Sequence, residues 1–341
     1  MSYTNNSYPL RSSRTEKCGL VAPDPTYPRE NLEDLRNLLL SISEWYTEGK
    51  RSVSLIEDYL LDAWDVLIQT SKMTPSTSPE QDSLVVLISS IKEFGILHRN
   101  ERDTQDQETT MLSNGQKFWI DLPYLARKMQ HSWIIESHQY TTTERANFAV
   151  LTAKLCAGGI CEAELSFVAL WLLRETLEVQ RPLTKQLDIP KSENSLSITE
   201  LLPACFSWLS NAKFKLIKLV AQNYDPTLSM VIESNHQIHM DIGDLAAKAN
   251  ITQPGFSLPR WVFWRLRLKE LSRCGDAVIA KLAEQSFSEM VHTGVVLGIV
   301  VHGERNYFEK VSEALTAEFK AKGMTETVDT SDININMDWA D

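Results

Sequence analysis

The chain has 341 residues and 38.8 kDa, 43% of them hydrophobic and 23% charged, which excludes collagen-like, disulfide-scaffold and wholly disordered classes. Lys and Arg number 34 against 45 Asp and Glu, a net charge of -11. Phosphate backbones and anionic lipid repel such a chain unless its cations are segregated into one patch, so nucleic acid is disfavoured as a partner.

Residues 1–29 carry Pro9, Pro23, Pro25 and Pro28 among polar residues and read as a flexible leader without the apolar run of a secretory signal. Leu32, Leu35, Leu38, Leu39 and Ile42 recur at helical spacing, and a second helical run spans Val53–Thr70. Ser78-Pro79-Glu80-Gln81 predicts a helix start with Ser78 as cap and Gln81 completing a capping box, running to Phe94 and ended by Gly95. Residues 99–116 are polar and read as an exposed excursion. Helical patterning resumes over Leu122–Ile135 and again after the capping box Thr141–Glu144, which Gly158-Gly159 stops. Leu165–Leu173 is apolar on every side, the pattern of a helix packed all round. Residues 181–197 read as a connection, followed by helical runs at about 199–223, 227–234, 257–273, 276–301 and 304–322. From Thr325 onward the chain has carboxylates and no base, and reads as a disordered acidic tail.

No β-alternation persists and no period repeats. The fold class is therefore all-α, an irregular bundle of about ten to twelve helices, with a helical-repeat array as the alternative. The helices form one large domain over 30–322, with a subdivision near 181–197 as the variant. Five scattered cysteines (Cys18, Cys156, Cys161, Cys205, Cys274) with no CxxC pair fit reduced thiols and a cytoplasmic or nuclear compartment. The longest apolar runs fall far short of the ~20 residues of a membrane span, so no membrane partner is expected.

Five segments together resemble a known family: LLDAWDVLIQTSK (60–72), SPEQDSLVVLISSIKEFG (78–95), FWIDLPYLARKMQHSW (118–133), ALWLLRETLE (169–178) and FSLPRWVFWRLRLKEL (256–271). The family is a set of fungal proteins known only as a domain of unknown function, and the resemblance covers about residues 50–320. It implies a filamentous-fungal, intracellular, all-helical protein without an assigned activity. Some members are encoded near secondary-metabolite genes, which points to an accessory role. No catalytic residues come with it.

Ser257–Arg273 is the segment richest in information. Trp261, Trp264, Leu268 and Leu271 share one face of a helix and Leu258, Val262 and Leu266 share another, which predicts a helix packed between neighbours. Its cations then need carboxylate or carbonyl partners. The functional alternative is an anion or acidic-peptide site around Arg260, Trp261, Trp264 and Arg267. Two ExxH pairs, Glu233–His236 and Glu289–His292, are the metal candidates: this spacing puts carboxylate and imidazole on one helix face, as in di-iron centres. Two pairs is only a mild excess over chance for this composition. His236 and His239 with Glu233 offer a zinc alternative that lacks further ligands at recognisable spacing.

Other constellations have plainer readings. Arg174–Glu178 is at ion-pair spacing in a helix. Asp62-Ala-Trp-Asp65 is similar to the magnesium motif of all-α terpene synthases but lacks its further carboxylates, and reads as polar positions beside a buried Trp64. Lys213, Lys215 and Lys218, with Phe214 between them, read as a solvated helix face or a contact for an acidic partner. In the tail, Ile333, Ile335, Met337 and Trp339 alternate with polar residues. Walker, GxGxxG, GxSxG and HExxH signatures are absent. The expectation is a non-catalytic interaction or accessory protein with a protein partner and no cofactor. The alternative is a helical enzyme or small-molecule binder of specialised metabolism, with iron or zinc.

Overall fold

In a computed structural model the described residues are 28–100, 112–184, 196–228 and 241–296, with six helical positions between 309 and 320. Among them are ten α-helices and no β-strand, so the protein is all-α. The chain divides into two compact units, Met1–Glu136 and Ser137–Asp341.

The first unit is built around α2 (Val53–Met73), which is capped by Ser52 and buried on nearly every side. Helix α1 (Pro28–Thr47) turns Leu35, Leu39, Ile42 and Tyr46 inward, at spacings of three and four residues. Helix α3 (Glu80–Glu93) ends at Phe94, with Gly95 in the left-handed region as the sequence predicts. Its start differs from the predicted capping box. Gln81 is fully buried, and its Nε2 donates to the carbonyls of Ser71 (3.0 Å) and Thr74 (2.8 Å). The side chain therefore satisfies the carbonyls at the end of α2 that no intrahelical donor can reach.

The last helix of this unit, α4 (Leu125–His131), begins three residues later than predicted and continues as a π-helical turn over Ser132–Glu136. The delay has a backbone cause: Trp119, Leu122 and Tyr124 all have positive φ (63°, 46° and 67°). Non-glycine residues hold that conformation only where packing over-determines it. Here Tyr46 stacks on Phe118 at 4.3 Å, and Phe118 meets Trp119 edge-on at 4.6 Å. The indole N–H groups of Trp119 and Trp64 donate to Ser43 Oγ (2.9 Å) and the Pro123 carbonyl (2.7 Å). Glu57 accepts from the Ser113 amide and from Tyr124 Oη, tying both ends of the segment to α2.

In the second unit, α5 (Thr142–Ala157) opens with the predicted capping box and α6 (Glu162–Leu173) is buried along all of 165–173. Helix α6 runs on as a π-helical turn, Arg174–Glu178. The long α7 (Ile198–Ala221) packs along α5 and α10 (Ala277–Val296), and kinks at Ala212 (φ -124°, ψ 15°). The short α8 (Asp244–Lys248) was not anticipated, and Thr227 and Leu228 form a turn rather than the helix expected over 227–234. Residues 229–240, residues 1–27 of the expected leader and the acidic tail lie outside the described residues, and the last two leader positions, Pro28 and Arg29, already belong to α1.

Helix α9 (Leu258–Leu271) is capped by Ser257, with Pro259 in its first turn. The predicted second buried face is not formed. Trp261, Trp264, Leu268 and Leu271 are buried, whereas Leu258 and Leu266 remain 45% and 42% exposed. Sequence periodicity shows two apolar stripes but not whether a neighbour exists for both.

Replacing Gln81 with Leu leaves the last carbonyls of α2 without their donor. We expect the variant to lose about 1–3 kcal/mol, the cost of an unsatisfied buried acceptor. Urea unfolding checks this, and an unchanged midpoint would show that water replaces the amide.

Candidate functional site

The most concentrated polar constellation lies inside the second unit, on Glu178. A π-helical turn winds wider than an α-helix, so residues four apart no longer stack. Accordingly Arg174 does not meet Glu178 as the α-helical spacing predicts. It pairs with Glu175, which also contacts Arg181. Glu178 turns inward instead and is completely buried opposite a completely buried Arg260.

Both carboxylate oxygens are saturated. Oε1 accepts from Arg260 Nε at 2.7 Å and from the Trp264 indole N–H at 2.7 Å. Oε2 accepts from Arg260 Nη2 and from the Gly243 amide, each at 3.0 Å. The remaining Arg260 fork reaches the Gly255 carbonyl at 2.9 Å, and the guanidinium sits 5.5 Å over the Trp264 ring. Glycine is required at both backbone contacts. A Cβ on Gly243 would lie 2.6 Å from Glu178 atoms, and one on Gly255 would meet Tyr224 and Asp225 at 2.7 Å in a left-handed backbone (φ +66°).

Of the residues singled out as an anion site, the structure thus brings Arg260, Trp261 and Trp264 together in the interior. Arg267 is separate, pairing with Glu270 at 2.8 Å on the outer side of α9. Of the metal candidates, Glu289 accepts from Lys213 Nζ at 2.7 Å and His292 is exposed one turn further along α10. Glu233, His236 and His239 lie outside the described residues. Among the described residues no group of three or more His, Cys, Asp or Glu side chains is placed to hold a metal ion.

Further charges are buried elsewhere in each unit. Arg145 is fully buried, donating to the carbonyls of Ser137 (2.8 Å), Tyr140 (3.0 Å) and Glu200 (2.8 Å), and burial brings its pKa down to about 10. In the first unit Asp65 pairs with Lys128 at 2.6 Å while burial pushes its carboxyl up. Asp62, expected beside the core, is within it at 4% exposure. The thiols of Cys156 and Cys205 are both pushed up to about 12 by burial.

Among the described residues, the surface of the second unit has an open cleft. At the Ala212 kink a cleft of about 330 Å³ is lined by Ala157, Asn211, Ala212, Phe214, Lys215 and Lys218. Lys215 reaches Glu162 at 2.8 Å, and Lys213 lies 5.6 Å over the half-exposed Phe214 ring. Two lysines of the run noted in the sequence, Lys215 and Lys218, therefore line a concave surface, with Lys213 beside it.

The family model described as "Protein of unknown function (DUF3632)" matches residues 64–268. A curated relative, "Oxopyrrolidines biosynthesis cluster protein G" of Penicillium oxalicum, is 27% identical over 283 residues, covering 78% of this chain and 76% of the relative. No solved structure matches.

Two outcomes are expected. Glu178→Gln leaves the Arg260 charge buried without its counter-ion and should cost about 3–5 kcal/mol, while Glu178→Leu combined with Arg260→Met should recover much of that loss. Denaturation curves of both variants decide; equal losses would mean that the pair does not act as a unit. For the thiols, folded Cys156 and Cys205 bind protons up to about pH 12, whereas an unfolded thiol loses its proton near the ordinary value of 9.0. The unfolded state then binds fewer protons in between, so this contribution to stability is full below pH 9 and falls from there towards 12. Alkylation mapping of the native protein at pH 8 should modify neither thiol.

Proposed function

This chain belongs to the DUF3632 family of proteins of unknown function, and from that premise we propose that it is a non-catalytic accessory protein of fungal specialised metabolism, acting by binding another protein. The observation that carries the proposal is the saturation of Glu178. The central buried carboxylate is consumed in holding segments together, with both of its oxygens already engaged. A general acid or base needs a free lone pair or proton facing a substrate, and Glu178 has neither. The name of the Penicillium relative, a biosynthesis cluster protein, supports the metabolic setting. Protein binding is the mode of action that an accessory role of this kind calls for.

The test combines two experiments in the native fungal host. The tagged full-length chain should co-purify with a stoichiometric protein partner and without near-stoichiometric iron or zinc. Deletion of its gene should lower a metabolite's titre without accumulation of one immediate precursor. A single accumulating precursor, or stoichiometric metal in the purified chain, would overturn the accessory reading in favour of an enzyme.

A further inference from the structure

The lysine-lined cleft at the α7 kink matches, in charge and size, one segment of this same chain. Residues 325–341 contain Glu326, Asp329, Asp332, Asp338 and Asp341 and no Lys or Arg. Within them Ile333, Ile335, Met337 and Trp339 fall on every second position. In extended backbone such residues project to one side while the intervening polar groups project to the other. We propose that this acidic segment docks in the cleft formed by Asn211, Phe214, Lys215 and Lys218, with an apolar side chain as its anchor and its carboxylates against the lysines. The contact does not depend on the accessory reading above.

The cleft suits that occupant in three ways. Its volume, about 330 Å³, is at the small end of the ~300–1,000 Å³ of ligand pockets, room for an anchoring side chain rather than a folded element. Its floor is small (Ala157, Ala212) and one wall is Phe214, 51% exposed, an apolar contact that water covers poorly. Its charge is opposite to the segment's and to the chain's net -11. The existing ion pairs do not block it. Glu289 and Glu162, the partners of Lys213 and Lys215, have side chains 30% and 39% exposed. The side chains of Lys213 and Lys215 are themselves 24% and 12% exposed, so the readiest charge for the segment is that of the exposed Lys218.

Reach is also satisfied. Glu289 of α10 touches Lys213 beside the cleft, and the described part of α10 ends at Val296, roughly 10 Å further along the helix at ~1.5 Å per residue. Between Val296 and Asp332 lie roughly 36 residues, and with 309–320 counted as helix the remaining ~24 still reach on the order of 80 Å. Because the segment is on the same chain, its docking is an intramolecular event and even a weak contact is favoured.

The experiment is zero-length carbodiimide coupling of the full-length chain, which joins a touching lysine amine to a carboxylate with loss of water, followed by peptide mapping of the monomer. The expected result is amide links from the carboxylates of 326–341 to Lys213, Lys215 or Lys218, reduced several-fold at high salt. The exposed double variant Phe214→Ser with Lys218→Glu should lower those links several-fold at an unchanged melting temperature. The proposal is overturned if the segment couples to no lysine, couples equally to lysines elsewhere, or is unaffected by the variant. Links found only between isotopically distinct copies would overturn it as well, by assigning the segment to a second molecule.

Discussion

A carboxylate withdrawn entirely from water must find donors at fixed positions, because the effective penalty for an uncompensated buried ion is several kcal/mol. Glu178 imposes that requirement on the second unit. Its two oxygens collect donors from Gly243, Arg260 and Trp264, and Arg260 in turn collects the Gly255 carbonyl. Three stretches with little regular structure in common, the π-turn after α6, the approach to α8 and the loop before α9, are held to one point. Gly243 follows from the same constraint, since atoms of Glu178 stand 2.6 Å from where its Cβ would be.

The device recurs elsewhere in smaller form. In the first unit Glu57 of α2 holds the aromatic segment by Ser113 and Tyr124. In the second, Arg145 gathers the carbonyls of Ser137, Tyr140 and Glu200, and Arg181 bonds those of Glu175 and Leu196. Regular helices satisfy their own backbone, whereas irregular segments leave carbonyls and amides unpaired. A long charged side chain can serve several of them from a single anchor. Helices here supply the apolar core, and buried charges fix the connections.

That division explains what the sequence made legible. Local signals survived well: the box at Thr141, the stop at Gly95 and the wholly apolar α6 all depend on residues within a turn of one another. What failed depended on distant partners. Gln81 has the spacing of a capping box, yet its amide is drawn to α2 by carbonyls seven and ten residues back. Arg174–Glu178 has α-helical ion-pair spacing, but a π-turn changes the register and a guanidinium 82 residues away takes the carboxylate. The requirement that the cations of α9 find carboxylate or carbonyl partners was legible in its two apolar stripes; the identity of those partners was not.

The same residues bear on how the family match is to be understood. The matched span, 64–268, contains Glu178, Gly243, Gly255, Arg260 and Trp264, so the full set of contacts around the buried carboxylate falls within it. The carboxylate node can be kept only as a whole: removing one partner strands the other in a medium where it cannot be solvated, whereas the exposed Lys218 and Phe214 of the cleft can change singly at little cost. A scaffold of this kind holds its frame rigidly and leaves its surface free to vary. The exposed features, the α7 cleft and the uncovered Leu258 and Leu266 of α9, are then free to change around a frame that the buried constellation holds.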